Sequence, residues 1–178
     1  MILGLSGGID SAVLYGWHRN KGERVTPVYV RAVRRGRNVG ADERAATAIA
    51  RHYGDGLVIV DATWARNEYL TVPFALAMAT PPGEDCHLGA SMVEGVDAFQ
   101  RELQDAKVTT AVSDLTGFPM RFARPTSRWT KAALIELGRR LKVPLDLTHS
   151  CAQDTPCGEC AKCLAVGAAW NEVNGATA

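Results

Sequence analysis

The chain has almost no net charge: 20 lysines and arginines against 19 acidic residues leave +1 over 178 residues. That balance argues against a broad electrostatic surface for nucleic acid and gives no strong nucleic-acid signal. Long apolar runs are also missing. None approaches the roughly 18 residues needed to cross a bilayer, so no membrane partner is expected. Met1-Ile2-Leu3-Gly4-Leu5 is too short for a secretory leader and has no basic flank. These absences predict a cytoplasmic protein. Repeats and low-complexity tracts are absent as well. So is the Gly-Lys-Ser/Thr of a Walker-type phosphate loop, which excludes that class of nucleotide site.

The composition that remains is ordinary, with 47% apolar and 22% charged residues. It fits one globular domain able to bury a core, neither disordered nor fibrous. A local exception is Arg31 to Arg37, with four arginines in seven residues. It reads as a solvated or phosphate-facing loop.

Apolar patterning predicts a strand over 2–5, a helix from Asp10 to about Lys21 stopped by Gly22, and a β-branched strand over 25–30. A helix over 41–53 closed by Gly54 and a strand over 57–60 follow. This alternation argues for α/β architecture, a doubly wound parallel sheet with helices on both faces. Residues 65–107 read as mostly helical, broken by the loop Thr80-Pro81-Pro82-Gly83. Val108 to Val112 is the next strand expected, 113–128 is irregular, and 129–141 is an amphipathic helix. The tail, 143–178, carries one short helix.

The most informative stretch is Ser6-Gly7-Gly8-Ile9-Asp10-Ser11, between the first strand and the first helix. Backbone amides and a helix dipole bind phosphate in that setting. The glycines allow close approach, and Ser6 and Ser11 add hydroxyl donors. Asp10 would repel a phosphate unless magnesium bridges the two. A tight turn with an ordinary Asp/Ser cap is the plainer alternative.

Four of the five cysteines fall within thirteen residues: Cys151, Cys157, Cys160 and Cys163. Two overlapping Cys-x-x-Cys turns and a fourth thiolate suit tetrahedral zinc in a closed, structural site. A redox pair would leave two cysteines unexplained, and an iron–sulfur cluster also takes four. The fifth, Cys86, lies beside His87 in Glu84-Asp85-Cys86-His87. It reads as part of an ordinary loop, with a Cys/His nucleophile the weaker option; Glu84, Asp85 and His87 are alternatives for lining a pocket.

Ser-Gly-Gly-x-Asp-Ser resembles the pyrophosphate loop of the N-type ATP pyrophosphatases (PP-loop, adenine nucleotide alpha hydrolase-like fold). The resemblance implies that Ser6, Gly7, Gly8, Ile9, Asp10 and Ser11 bind ATP, with magnesium, and that pyrophosphate leaves as an oxygen is adenylated. With the cysteine cluster behind it, the chain resembles the 7-cyano-7-deazaguanine synthase family. Arg124-Pro125, Thr130-Lys131-Ala132 and the run Leu145 to Cys151 resemble that family's carboxyl-terminal third. Its implied parts are a PP-loop domain over 1–145 and a zinc-binding segment over 146–178 packed on it.

The implied reaction adenylates the carboxylate of 7-carboxy-7-deazaguanine and aminates it with ammonia to the 7-amido or 7-cyano base, a ligase reaction of queuosine biosynthesis. Asp10 and Lys131 are the implied catalytic residues, although Lys131 reads equally well as a solvated helix lysine. Thr116-Gly117-Phe118-Pro119 is similar to the family's Ser-Gly-Tyr-Pro, which makes Gly117, Phe118 and Pro119, with Asp114, the substrate candidates. Ser113 joins Asp114 as following a strand, Tyr29 is a candidate neighbour of adenine or a core residue, and Trp129 and Trp170 read as core or rim. Relatives imply a homodimer. Two other readings stay open: a PP-loop enzyme modifying, for example thiolating, a tRNA base, and a noncatalytic nucleotide-binding subunit.

Overall fold

A computed structural model describes residues 1–32, 39–63, 68–89 and 98–175. Five strands and six helices alternate: β1 (Ile2–Gly4), α1 (Ile9–Asn20), β2 (Thr26–Ala32), α2 (Val39–His52), β3 (Val58–Ala62), α3 (Glu68–Met78), β4 (Asp85–Leu88), α4 (Ala98–Thr116), β5 (Arg121–Ala123), α5 (Lys131–Arg140) and α6 (Ala161–Gly175). A single 3₁₀ turn, Leu145–Leu147, lies between α5 and α6.

The strands form one parallel sheet in the order β3-β2-β1-β4-β5. Side-chain alternation divides its two faces. Leu3, Leu5 and Tyr29 pack with α1 and α2 residues such as Leu14, Tyr15 and Ile49. Ile2, Val28, Val30 and Cys86 point the other way, onto Ala75 and Leu76 of α3. Helix α4 follows α3 on that second face, through Val108 and Val112 against Ala77. On the first face α1 packs against α5 and α6, with Ile9, Val13, Leu134, Ile135, Ala169 and Val173 buried together. The doubly wound parallel sheet expected from the alternation is therefore present.

Chain order runs outward from β1 to β3 and then returns to β4 on the other side of β1. The direction of winding reverses between β1 and β4, where open parallel sheets leave a crevice at their carboxyl edge. No described helix is long and apolar enough to cross a membrane.

Four expectations fail at the level of elements, one of them because Arg121–Ala123 is a strand inside the stretch read as irregular. Val108 to Val112 is not a strand but the middle of α4. As a helix it sets Val108 and Val112 four residues apart on one buried face, which a short β-branched window cannot reveal. The missing strand is Asp85–Leu88, inside the stretch read as helix and loop. In the tail, α6 has 15 residues where one short helix was expected.

Candidate active site and four-cysteine knuckle

The glycine-rich turn stands at the carboxyl end of β1, on the crevice. Gly7 has φ +80°, and a Cβ there would lie 2.4 Å from the Asp42 carbonyl oxygen, so only glycine fits. Gly8 is the N-cap of α1 and brings no side chain over its first turn, the setting in which a helix N-terminus can receive an anion. The Ser11 hydroxyl accepts from the Ser6 amide at 3.1 Å and donates to the Gly8 carbonyl at 3.0 Å. With its only proton committed there, it also accepts from the Ser6 hydroxyl at 3.1 Å. These bonds preset the turn. Ile9 contributes only backbone to it, since its side chain is 3% exposed and belongs to the α1–α5–α6 core.

Asp10 and Lys131 are brought together. Lys131 opens α5, whose start is fixed by Thr130: its hydroxyl oxygen accepts from the Ala133 amide at 3.1 Å. The ammonium forms an ion pair with Asp10, both side chains about three-quarters buried. Two residues far apart in sequence thus share one point beside the turn, a cation against the carboxylate.

One contributor was missed from sequence. Gly89 follows β4 directly, and a Cβ on it would sit 2.5 Å from Ser11 Cα and 2.6 Å from Ser11 N. The backbone after β4 is pressed against the first turn of α1 and forms the far wall of the crevice. Only knowledge that β4 pairs with β1 exposes that requirement.

The substrate candidates lie elsewhere. Asp114 is exposed near the end of α4 rather than after a strand, and Ser113 Oγ accepts from the Met120 amide at 3.2 Å. Gly117, Phe118 and Pro119 form the exposed turn entering β5. Because β5 is parallel to β1, that turn sits at the amino edge of the sheet, opposite the glycine turn. The fold does not bring these four residues to the loop.

Cys86 is fully buried in β4 against the α3 face, and burial pushes its thiol up to about 12. It is a core residue and no nucleophile. His87, one residue on, points to the other face and meets His18 at 3.1 Å, while His18 Nδ1 pairs with Glu23. Tyr29 is likewise core, at 1% exposure. Trp129 is 38% exposed and Trp170 packs on the α5–α6 core. Of the arginine-rich segment, Arg31 is in β2 and forms a fork with Glu43 at 2.9 and 2.7 Å; residues 33–38 lie outside the described residues.

The four remaining cysteines converge. Their sulfurs all lie within 4.8 Å of one another, Cys151 and Cys157 at 3.6 Å. Four thiolates about 2.3 Å from one zinc ion would stand roughly 3.8 Å apart, so the set fits. Backbone amides support the anionic form of Cys151 and Cys160, while burial and the neighbouring thiols push Cys163 up to about 11. The amides of Cys157 and Gln153 hold the Cys151 thiol below its ordinary value, and those of Cys163 and Ala152 bring Cys160 down to about 6. Gly158, at φ +78°, makes the tight turn between Cys157 and Cys160. Cys163 sits in the first turn of α6, so the cluster anchors that helix.

The family model described as Queuosine biosynthesis protein QueC matches residues 91–174, from just before α4 through the knuckle to the end of α6. The 7-cyano-7-deazaguanine synthase of Anaeromyxobacter sp. (strain Fw109-5) is 31% identical over 106 residues. Over residues 91–174, a little under half of its length, the chain is similar to this family. The QueC relationship is confined to part of each protein: the Anaeromyxobacter alignment takes in 53% of this chain and 46% of that one. The 7-cyano-7-deazaguanine synthase of Leptospira biflexa is 31% identical over 109 residues, 53% of this chain and 43% of its own. The chain thus spans less than half the length of the curated QueC relatives it matches. A solved structure, NMN synthetase from Francisella tularensis, superposes with a TM-score of 0.43 at 16% identity, over 82% of this chain and 63% of that one.

Proposed function

We propose that the chain is an ATP-dependent carbon–nitrogen ligase that adenylates the carboxylate of 7-carboxy-7-deazaguanine and aminates it with ammonia. The observation that carries this reading is the preset glycine turn at the crevice with Asp10 and Lys131 meeting beside it, in a chain whose carboxyl-terminal half is similar to this family. ATP would lie with its β- and γ-phosphates on the backbone amides of the turn, the Ser6 hydroxyl rotating away from Ser11 to donate its one proton to a phosphate oxygen. A substrate carboxylate oxygen attacks the α-phosphorus, and pyrophosphate departs along the turn. Ammonia then attacks the acyl carbon and gives up a proton to solvent, and AMP leaves with the C–O electron pair to give the amide. A second adenylation, on the amide oxygen, releases pyrophosphate again; the nitrogen then loses both its protons and AMP leaves with the C–O electron pair to give the nitrile.

The work of this chain's residues is positioning and charge balance. The turn fixes the leaving pyrophosphate in line, and Lys131 offsets the negative charge that gathers as carboxylate and phosphate approach. Asp10 is the residue that would hold magnesium, which when bound supplies neutralising charge on pyrophosphate. Zinc, when bound by the four cysteines, supplies cross-linking and no chemistry. The acceptor base would lie at the carboxyl edge of the sheet, on the side of Lys131 and away from Asp114, Gly117, Phe118 and Pro119. A second copy of the chain is the proposed oligomeric partner, which sedimentation at micromolar concentration checks.

Incubation with ATP, magnesium, ammonia and 7-carboxy-7-deazaguanine is expected to give AMP, pyrophosphate and a product whose mass identifies amide or nitrile. Unchanged substrate, with no AMP formed, would sink the reading.

A further inference from the structure

The knuckle and the glycine turn are distant in sequence and joined in space. The Gly7 carbonyl accepts from the His149 amide at 2.8 Å. The His149 carbonyl oxygen and the Ser150 hydroxyl lie 3.7 and 3.9 Å from the position a Gly8 Cβ would take. Two residues later the same strand of backbone delivers Cys151, 1% exposed, to the sulfur cluster. The His149 ring is 9% exposed, and its Nε2 donates at 2.8 Å to the Gln153 carbonyl. Gln153 in turn gives its amide to Cys151 Sγ at 3.3 Å. A closed circuit runs from the turn to His149, to Gln153, to Cys151 and back.

This circuit has little slack. Three consecutive residues span at most about 7 Å, so Cys151 cannot shift by much without moving the His149 amide. On its other side Gly7 is hemmed by the backbone of Asp42 and Ala46 in α2. The left-handed Gly7 is therefore held from two sides, and one of them is set by the sulfur cluster. A turn that is only fractionally in its binding conformation loses affinity in proportion to that fraction.

We propose that the four-cysteine knuckle sets the affinity of the glycine turn for nucleotide phosphates, with His149 as the positioning residue that transmits its state. The proposal rests on the reading of the turn as the ATP site, and the tests separate the two. Without nucleotide, amide hydrogen exchange is followed in the zinc-loaded chain and after chelation. Exchange over Leu5 to Ser11 is expected to rise about tenfold on chelation while β2 and β3 keep their protection. Equal exchange in the turn overturns the proposal whatever the turn binds.

ATP affinity is then measured for the zinc-loaded chain, His149→Ala and His149→Asn, with zinc content assayed in each. With full zinc, His149→Ala is expected to raise the Kd for ATP about tenfold, and His149→Asn, which keeps an N–H donor, to recover part of it. An unchanged Kd in His149→Ala at full zinc content overturns the proposal. Should chelation unfold the whole chain, seen as exchange rising in β2 and β3 alike, the zinc-loaded His149→Ala measurement decides alone. Failure of the zinc-loaded native chain to bind ATP would end the ATP reading, while the exchange comparison still judges the link between knuckle and turn.

Discussion

At the scale of residues, the parts most legible in the sequence were those whose chemistry is local. Ser6 to Ser11 and the four cysteines carry their meaning in short spacing, and the fold places each group in one spot. Lys131 was readable only as a possibility, because its partner Asp10 stands at the other end of the chain. Lys131→Met is expected to lower kcat/KM for adenylation about a hundredfold. Because both side chains are about three-quarters buried and the change takes a partner from the Asp10 carboxylate, stability should also fall by about 1–3 kcal/mol. Pyrophosphate-release kinetics and a urea melt check both, and full turnover in the variant would refute the role.

Gly89 was not legible, since what it must avoid is the backbone of Ser11 across the crevice. Gly89→Ala is expected to cost about 1–3 kcal/mol, as other overpacked sites do. It should also weaken ATP binding, because Ser11 cannot yield without distorting the turn. A denaturant titration with and without ATP would show both effects. Cys86 makes a chemical test of burial: iodoacetamide at pH 8 should leave it unmodified in the native chain and alkylate it in guanidinium. Labelling in the native state would contradict its place in the core.

At the scale of elements, long periodic segments were readable and short ones were not. Ala132 and Ile135 lie one turn apart and both face the core, so α5 declared itself. β4 has four residues and β5 three, too few for a period of two to stand out. The pairing of His18 on α1 with His87 on β4 gives this junction a pH dependence. Burial holds the His87 imidazole below its ordinary 6.5, with His18, Asp85, Glu23 and Arg121 around it. The folded chain therefore binds fewer protons than the unfolded chain just below pH 6.5. Stability from this source is full above 6.5 and falls as pH drops through that value toward the native one. Glu23 is held low by its hydrogen bond from His18, so its own contribution is lost only on further acidification, below 4.5. Melting temperatures between pH 7.5 and 5.5 should fall more steeply in the native chain than in His87→Gln. Parallel slopes would remove His87 from the account.

At the scale of the whole molecule, sheet order was only partly foreseeable. The first five alternating elements implied a parallel sheet, but nothing local states that α3 carries the chain back past β2 and β1. That return makes the crevice, and it is a property of topology rather than of any segment. Metal dependence belongs to this scale too, because the knuckle anchors α6, and α6 completes the core under Ile9 and Val13. Chelation should lower the melting temperature by several degrees, as loss of a structural ion does, and zinc should restore it. An unchanged melt would show that α6 docks without help.

The pairing of β4 with β1 and β5 has a consequence for how this chain can vary. Cys86 and His87 occupy opposite sides of the sheet because they are neighbours in an extended strand. A one-residue slip of β4 against β1 would swap their sides, sending an imidazole into the α3 core and a thiol toward His18. A slip of two would restore the sidedness. Register at this joint therefore has a parity, and an insertion within β4 should be far more damaging than one in the exposed turn ahead of it.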